Sequence, residues 1–182
     1  MSGAIRTGKP VRLGVHFSSS SDNWATPVAL FKALNEEFGF TLDPCATPDN
    51  AKCRHFFTKT ENGLAQDWKG ETVFMNPPYG RASGRWMGKA HDSARQGATV
   101  VCLIPARTDT RWWHEHAMKG EIRFLRGRLK FGDAHNSAPF PSAIVVFRPA
   151  STVRRFVAKC INFVTLPAGA CYKVDTVRAK LK

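Results

Sequence analysis

The chain has 182 residues, which is enough for one domain with a hydrophobic core and leaves little room for a second. Its 27 Lys and Arg residues outnumber its 14 Asp and Glu residues, and the formal net charge of +13 predicts a polyanionic partner, with nucleic acid the ordinary candidate. No apolar run is long enough to span a bilayer, and five scattered cysteines without a Cys-x-x-Cys pair favour free thiols in a reducing cytoplasm.

The charges are unevenly distributed along the chain. Residues 21–70 contain 7 acidic and 5 basic side chains, whereas residues 81–130 contain 4 acidic and 11 basic ones. A cationic small molecule is favoured by the first segment and a phosphate backbone by the second. Residues 1–21 are polar and basic without a hydrophobic signal core, so we expect a flexible arm followed by a single domain over residues 22–182.

A first helix is predicted between Thr26 and Gly39. Thr26 suits the N-cap, Pro27 suits the first helical position, and Gly39 suits the termination. Helical spacing places four apolar side chains on the inward face: Leu30, Phe31, Leu34 and Phe38. Residues 40–42 then predict a short strand, which Asp43 and the following proline end.

Strands and helices alternate through the middle of the chain. Residues 73–75 predict a strand, residues 83–96 a helix, and residues 99–104 a buried strand, whereas residues 52–57 show no clear preference. Asp109 is a suitable cap for another helix, which carries Trp112, Trp113 and His116.

The last third predicts antiparallel strands. Residues 122–125 and 129–131 are strand candidates, residues 143–147 are a β-branched return strand, and residues 153–164 predict a closing helix. Strands that alternate with helices before a hairpin indicate a three-layer α/β/α sandwich on a mostly parallel sheet with a C-terminal antiparallel hairpin.

The tetrapeptide Asn76-Pro77-Pro78-Tyr79 directly follows a predicted strand and points to chemistry on an amino group. The Asn76 side-chain oxygen is an acceptor, and Pro77, biased toward an extended conformation by Pro78, offers its carbonyl as a second acceptor. Two acceptors aimed at one NH2 group hold its hydrogens and localise the nitrogen lone pair. Tyr79 supplies a flat face for a flipped base. The simpler interpretation is a proline-stiffened turn.

A second loop, Asp43-Pro44-Cys45-Ala46, also follows a predicted strand. In a parallel sheet, ligands bind beyond the carboxyl ends of the strands, so both loops are expected to form one site. The alternative is that Asp43 is only a turn-forming residue before proline. Cys45, Cys53 and His55 match no familiar zinc spacing, so no metal site is predicted.

These motifs together resemble S-adenosylmethionine-dependent amino-methyltransferases, and most closely the phage-type DNA N-6-adenine methyltransferase (Dam) family. The resemblance runs from Trp24 to about Pro149. Five segments carry it: 24–27, 42–47, 50–53, 76–80 and 104–110. It implies a Rossmann-like class I methyltransferase fold, S-adenosylmethionine as cofactor, and methyl transfer to adenine N6 in DNA. It also implies a phage or prophage protein in the cytoplasm of a bacterial host, with no membrane or obligatory protein partner and no separate target-recognition domain.

The resemblance implies site residues as well. The catalytic ones are Asn76, Pro77, Pro78 and Tyr79. Those that contact the cofactor are Trp24, Thr26, Pro27, Asp43, Pro44, Cys45, Ala46, Asp67 and Asn76. Segment 24–27 corresponds to the element at the methionine end, and Asp67 to the acid near the cofactor adenine. Residues 43–47 stand where many methyltransferases have a Gly-x-Gly loop. Glu61 is a candidate for the ribose hydroxyls or, equally, an acid in a turn.

Exposed cations complete the predicted DNA site. The candidates for phosphate contact are Arg81, Arg85, Arg107, Arg111, Arg126 and Arg128. Phe140 is a candidate for the second face of a flipped base or, alternatively, a core or loop anchor. Two other functions stay open: the same chemistry on RNA guanine or a protein glutamine, and a DNA-binding module with a degenerate methyltransferase fold.

Overall fold

A computed structural model of the chain describes residues 24–132 and 136–149 and, as backbone alone, the strand Lys159–Ile161. The predicted arm over residues 1–21 lies outside these residues. The helices are α1 (Val28–Phe38), α2 (Ser83–Arg95) and α3 (Arg111–Glu115), and a 3-10 turn spans Ala117–Lys119. The strands are β1 (Leu42–Asp43), β2 (His55–Phe56), β3 (Thr72–Met75), β4 (Thr99–Pro105), β5 (Glu121–Leu125), β6 (Ser142–Phe147) and β7 (Lys159–Ile161).

The strands form one mixed sheet in the order β2-β1-β3-β4-β6-β5-β7. Strands β1, β2, β3 and β4 pair in parallel, and β5 pairs in parallel with β7. Strand β6 lies between β4 and β5 and is antiparallel to both, which confirms the predicted return strand. Leu42 is in register with Val73, and Val73 with Val100. The carboxyl ends of β1 and β3 therefore share one edge of the sheet.

Two hydrophobic clusters cover opposite faces of this sheet. Phe74 and Val101 pack with Leu30 and Leu34 of α1 in one cluster. The adjacent strand residues Val73 and Val100 point to the opposite face. There they pack in the other cluster, against Trp86 and Met87 of α2 and Trp113 of α3. Alternate strand residues point to opposite faces, so a run of consecutive apolar residues such as β4 buries both sides. Among the described residues, no helix has the length and apolar character needed to cross a membrane.

Helix α1 confirms the predicted inward face but corrects its cap. Gly39 ends the helix at φ 65°, and its N–H donates to the Asn35 carbonyl at 2.8 Å. The N-cap is Pro27, without a side-chain cap bond, so the prediction that Thr26 caps α1 is wrong. The Thr26 hydroxyl instead accepts a hydrogen bond from Asn76, which makes it part of the site described below.

Several other predicted elements differ from the structure. The first strand is Leu42–Asp43 rather than residues 40–42. The N-cap of α3 is Thr110, without a side-chain cap bond, so the cap prediction for Asp109 is wrong. Residues 129–131 form no strand, because the chain turns through Gly127 at φ 81° and Gly132 at φ 53°.

The predicted closing helix over residues 153–164 is also wrong in its described part. Residues 159–161 form β7 and pair with β5. The remainder of that range lies outside the described residues.

Candidate active site

A pocket opens where the loops after β1 and β3 meet the segment that precedes α1. Its lining residues are Trp24, Ala25, Thr26, Asp43, Cys45, Asn50, Lys52, Phe74, Asn76, Pro77 and Pro78. We call it the loop pocket. The parallel register of β1 and β3 brings the two predicted loops together, as expected from sequence.

Asp43 is the buried acid of the loop pocket. Its carboxylate is only 5% exposed and accepts hydrogen bonds from the backbone N–H groups of Cys45 at 3.4 Å and Lys52 at 3.1 Å. Burial raises the pKa of Asp43 above its ordinary value, while these two N–H donors and the Lys52 charge act in the opposite direction. The carboxylate therefore ties the loop after β1 to the Asn50–Cys53 segment and presents negative charge in the pocket.

Asn76 has a polarised arrangement. Its side-chain nitrogen Nδ2 donates to the Trp24 main-chain oxygen at 2.5 Å and to Thr26 Oγ1 at 2.9 Å. Its oxygen Oδ1 is buried and has no hydrogen-bond partner among the described residues. Leaving such an acceptor unpaired costs about 1–3 kcal/mol, so it points to a missing donor.

Cys45 connects the two loops. Its thiol lies against the backbone of Asn76, and burial, reinforced by the charge of Asp43, raises the thiol pKa well above the ordinary value. The raised pKa favours the neutral thiol over the nucleophilic thiolate. The neighbouring Pro44 packs closely against Gly63: a Cβ on Gly63 would lie 2.0 Å from the Pro44 main-chain oxygen.

Tyr79 lies inside an aromatic cluster instead of lining the loop pocket. Its ring stacks on Trp24 with centroids 6.4 Å apart and meets Phe131 and Phe140 edge to face at 6.1 and 5.5 Å. The side chain is 5% exposed, its hydroxyl donates to the Leu103 carbonyl at 3.4 Å, and burial raises its pKa well above the ordinary value. Trp24 therefore covers the ring face that was predicted to stack on a base, and Phe140 packs in the same cluster.

Other predicted cofactor residues lie outside the pocket lining. Pro27 begins α1, and Ala46 is buried with its N–H bound to the Phe57 carbonyl at 3.1 Å. Asp67 is exposed and accepts from the Lys69 N–H at 2.9 Å, as in a turn. Its role near the cofactor adenine stays a prediction.

Glu61 closes a turn, which was one of its two interpretations. It accepts from the Thr58 N–H and hydroxyl, both at 2.8 Å, and these bonds lower its pKa.

Sequence reasoning assigned no role to Asn50 and Lys52, yet both line the pocket. Asn50 holds its own loop by accepting from the Thr47 N–H at 2.7 Å. The segment Asn50–Cys53 was among the motifs that carry the resemblance, and that was the available signal. The Lys52 N–H donates to the Asp43 carboxylate nine residues earlier, and this separation is too long for sequence spacing alone to reveal the hydrogen bond.

The six predicted DNA-contacting arginines are all exposed but do not form one patch. Arg81, Arg85 and Arg111 line an open groove between α2 and α3, together with Lys89 and Trp112. We call it the α2–α3 groove. It also holds two acids, Asp92 and Glu115, and the latter pairs with Arg111 at 2.6 Å. Among the described residues, neither Arg81 nor Arg85 has an acidic partner. Arg107, Arg126 and Arg128 lie outside this groove.

Two comparisons with known proteins bear on this site. The sequence profile of the DNA N-6-adenine-methyltransferase (Dam) family matches residues 16–165. The chain belongs to this family. The match contains both loops of the pocket and confirms the resemblance seen in the sequence. Over 66 residues, this Dam-family chain is also 44% identical to a protein of Escherichia coli (strain K12) named "Putative methyltransferase YfdM"; the aligned part covers 32% of the chain and 71% of YfdM.

Family membership gives the pocket geometry a chemical context. A mixed α/β sheet with a site at the carboxyl ends of its strands is consistent with the methyltransferase-like fold of a Dam-family protein. Within it, the buried acceptor Asn76 Oδ1 and the buried acid Asp43 belong to the same pocket.

Proposed function

We propose that this Dam-family chain transfers a methyl group from S-adenosylmethionine to the N6 amino group of adenine in DNA. The observation that carries the proposal is the buried, unpaired Oδ1 of Asn76 in a pocket that Pro77 also lines. Both residues offer oxygen acceptors, and the natural complement of such acceptors is an NH2 group. A turn that served only to stiffen the chain would have no reason to keep a buried acceptor without a donor.

The loop pocket suits the cofactor in charge as well as position. The amino-acid end of S-adenosylmethionine carries an ammonium and a carboxylate, and the pocket lining contains one acid, Asp43, and one base, Lys52. We propose that these two residues hold that end of the cofactor, with Trp24 and Thr26 beside them. When bound, the cofactor supplies an electrophilic methyl group on a sulfonium. The remaining predicted contacts belong to the same proposal: Pro27, Pro44, Cys45, Ala46, Asp67 and Asn76.

The residues of the chain act on the amine. Asn76 Oδ1 and the Pro77 carbonyl each accept one N6 hydrogen, so the nitrogen lone pair is left facing the methyl donor. The same acceptors stabilise positive charge that grows on N6 during transfer. N6 loses a proton only after it has gained the methyl group, so no dedicated base is required. Holding both reactants aligned accounts for about 7–11 kcal/mol of barrier lowering.

Tyr79 is proposed to stack on the flipped adenine. In the structure its ring face is covered by Trp24, at a centroid distance of 6.4 Å. A base that stacks on this face must therefore displace the Trp24 ring. Phe140 contacts both rings, at 5.1 Å from Trp24 and 5.5 Å from Tyr79, and would border the same space.

DNA is the proposed partner because of the positive charge and its location. Arg81 lies three residues after Pro78, so their Cα atoms are at most about 11 Å apart. The cations of the α2–α3 groove therefore begin beside the loop pocket, where they are placed to bind the backbone of the strand that enters it. Arg107, Arg126 and Arg128 are proposed as additional phosphate contacts.

The layer architecture, the extent of the domain and the cellular location belong to the same proposal. The helices on the two faces of the sheet are proposed to complete a three-layer α/β/α sandwich of the class I methyltransferase type. Residues 22–182 are proposed to form a single catalytic domain. The enzyme would act in the bacterial cytoplasm, where its DNA substrate lies.

Methyl transfer from labelled S-adenosylmethionine tests the proposal. Unmethylated DNA, RNA and protein fractions are incubated separately with the full chain or its Asn76→Ala variant, and the digested products are identified. The expected result is N6-methyladenine from DNA with the unaltered chain and none with the variant. Label found only in guanine of RNA or in protein glutamine overturns the DNA assignment. Cofactor binding without any transfer overturns the catalytic one.

A further inference from the structure

We propose that the segment from Trp24 to Thr26 is a positioning element that sets the orientation of the Asn76 carboxamide. It turns the oxygen toward the substrate amine and the nitrogen away from it. The inference rests on the proposed function, since it assigns the device that makes Asn76 an acceptor toward N6. Thr26 is thus given a task in addition to its proposed contact with the cofactor.

The main-chain oxygen of Trp24 determines which end of the amide faces it. A carbonyl oxygen has no proton and can only accept, so the Asn76 atom at 2.5 Å from it must be the donor Nδ2. Reversing the amide would place two acceptor oxygens against each other. It would also point an N–H donor at an amino group that itself donates two hydrogens.

Thr26 holds the second hydrogen of the same nitrogen. Its Oγ1 lies 2.9 Å from Asn76 Nδ2, and the Thr26 side chain is 5% exposed, so water does not readily replace it. With both N–H groups of the amide used, Oδ1 is the side-chain atom of Asn76 that has no hydrogen-bond partner among the described residues. The proton of the Thr26 hydroxyl is not donated to any described residue, which leaves it available for the cofactor.

The main chain of the segment is fixed in place from two sides. Pro27 leads into α1, whose Leu30 and Leu34 are buried against the sheet. The Ala25 carbonyl accepts from the Gly132 N–H at 2.8 Å, and this main-chain bond does not depend on the Trp24 ring that the base is proposed to displace. A segment anchored in this way can orient another side chain without moving itself.

The test compares Thr26→Val, which removes the hydroxyl at nearly constant volume, with Thr26→Ser, which keeps it. At saturating cofactor, kcat for DNA methylation is expected to fall on the order of tenfold in Thr26→Val, because a buried Nδ2–H loses its acceptor, and to stay within about twofold in Thr26→Ser. A role in cofactor binding alone would raise the cofactor KM of Thr26→Val and leave kcat unchanged, and that result overturns the inference.

A second measurement reads the Asn76 amide in the unaltered protein, without an activity assay. The Asn76 side-chain NH2 resonances are assigned in the unaltered protein by their loss in Asn76→Ala, and their exchange with water is measured. Slow exchange of both hydrogens is expected; fast exchange of either overturns the inference. If Asn76→Ala methylates DNA normally, the proposed function fails. If Asn76→Ala is inactive while Thr26→Val keeps its kcat, only the positioning role fails.

Discussion

Gly63 lies so close to Pro44 that a Cβ on residue 63 would stand 2.0 Å from the Pro44 main-chain oxygen. A hydrogen bond opposes movement of Gly63 away from Pro44: the Gly63 carbonyl accepts from the indole N–H of the fully buried Trp68 at 3.0 Å. The glycine thus supports the loop that carries Asp43 from outside the loop pocket. Sequence alone marks it only as the second residue of an Asn-Gly turn.

Gly63→Ala is therefore expected to displace the Asp43 loop. We expect a loss of stability of about 1–3 kcal/mol, the usual range for overpacking, and weaker binding of S-adenosylmethionine. Thermal unfolding and calorimetric titration measure the two effects. Gly88→Ala is the control, since its Cβ would make only ordinary contact with the His116 ring at 3.5 Å and alanine favours a helix. Equal stability of both variants would contradict the packing argument.

Asn76→Asp separates an acceptor from a correctly oriented carboxamide. The variant keeps an oxygen toward the substrate but places a second oxygen where Nδ2 now donates to the Trp24 carbonyl at 2.5 Å. We expect kcat to fall by about tenfold to a hundredfold or more, since two acceptors then face each other in a buried site. Single-turnover methylation at saturating cofactor measures this. An Asp variant with the kcat of the unaltered chain would show that the amide nitrogen is dispensable.

Cofactor affinity is expected to fall in acid because Asp43 becomes protonated. Burial raises the pKa of this carboxyl above its ordinary value, and protonation removes the charge that is proposed to face the cofactor ammonium. Affinity should therefore weaken as the pH falls through this raised pKa, and calorimetric titration across pH detects the break. Asp43→Asn should show weak binding without that break. A break at the pH of an ordinary exposed aspartate would contradict the burial argument.

The raised pKa of Asp43 affects folding stability in the opposite direction to cofactor affinity: stability is favoured at low pH. Because the folded-state pKa of Asp43 is raised, its contribution to the free energy of unfolding is fully present below the unfolded pKa and is lost as the pH rises through the folded one. The stability difference between the unaltered chain and Asp43→Asn should decrease over that interval. Chemical unfolding at several pH values checks the sign.

Replacing Arg123 by alanine is expected to lower the free energy of unfolding, whereas replacing Arg111 by alanine is not. The Arg123 side chain is 3% exposed and pairs with both oxygens of Glu37 at 2.5 and 2.6 Å and with Glu121 at 2.8 Å. Arg123→Ala leaves a buried Glu121 carboxylate with one cation fewer, so we expect a loss of about 3–5 kcal/mol. Arg111→Ala removes an exposed ion pair and should leave the unfolding midpoint within error. Similar midpoints for both variants would be inconsistent with this difference.

The α2–α3 groove makes a prediction about salt. If Arg81 and Arg85 each contact a phosphate of duplex DNA, the double alanine variant should reduce the slope of log affinity against log salt concentration by about 2. Arg95→Ala is the control, because this exposed cation lies at the other end of α2, about 15 Å along the helix from Arg85. Equal slopes for both variants would move the DNA contact to another surface.

Much of the site was predictable because its signals are local. Pro77 and Pro78 restrict their own backbone, Gly39 ends α1 at positive φ, and the consecutive apolar residues of β4 indicate a strand buried on both faces. The charge excess between residues 81 and 130 needed only counting. These features depend on residues adjacent in the chain, so they were visible without a fold.

The predictions that failed relied on the intrinsic propensity of a single residue or a short segment. Thr26 has the right chemistry for a helix cap, but its hydroxyl oxygen accepts a hydrogen bond from Asn76, 50 residues later in the chain. Residues 129–131 are apolar enough for a strand, yet two glycines with positive φ turn the chain there and Phe131 joins the aromatic cluster. Intrinsic propensity is a weak preference that such tertiary contacts override.

The sequence by itself determined the family, the two loops and the residue types that are proposed to face an amine. Only the tertiary structure decided that the Asn76 oxygen is the free end of its amide, that Trp24 covers Tyr79, and that Lys52 joins Asp43 in the pocket. The physical reason is that a motif specifies which donors and acceptors are present, whereas burial among distant neighbours decides which of them remain unpaired.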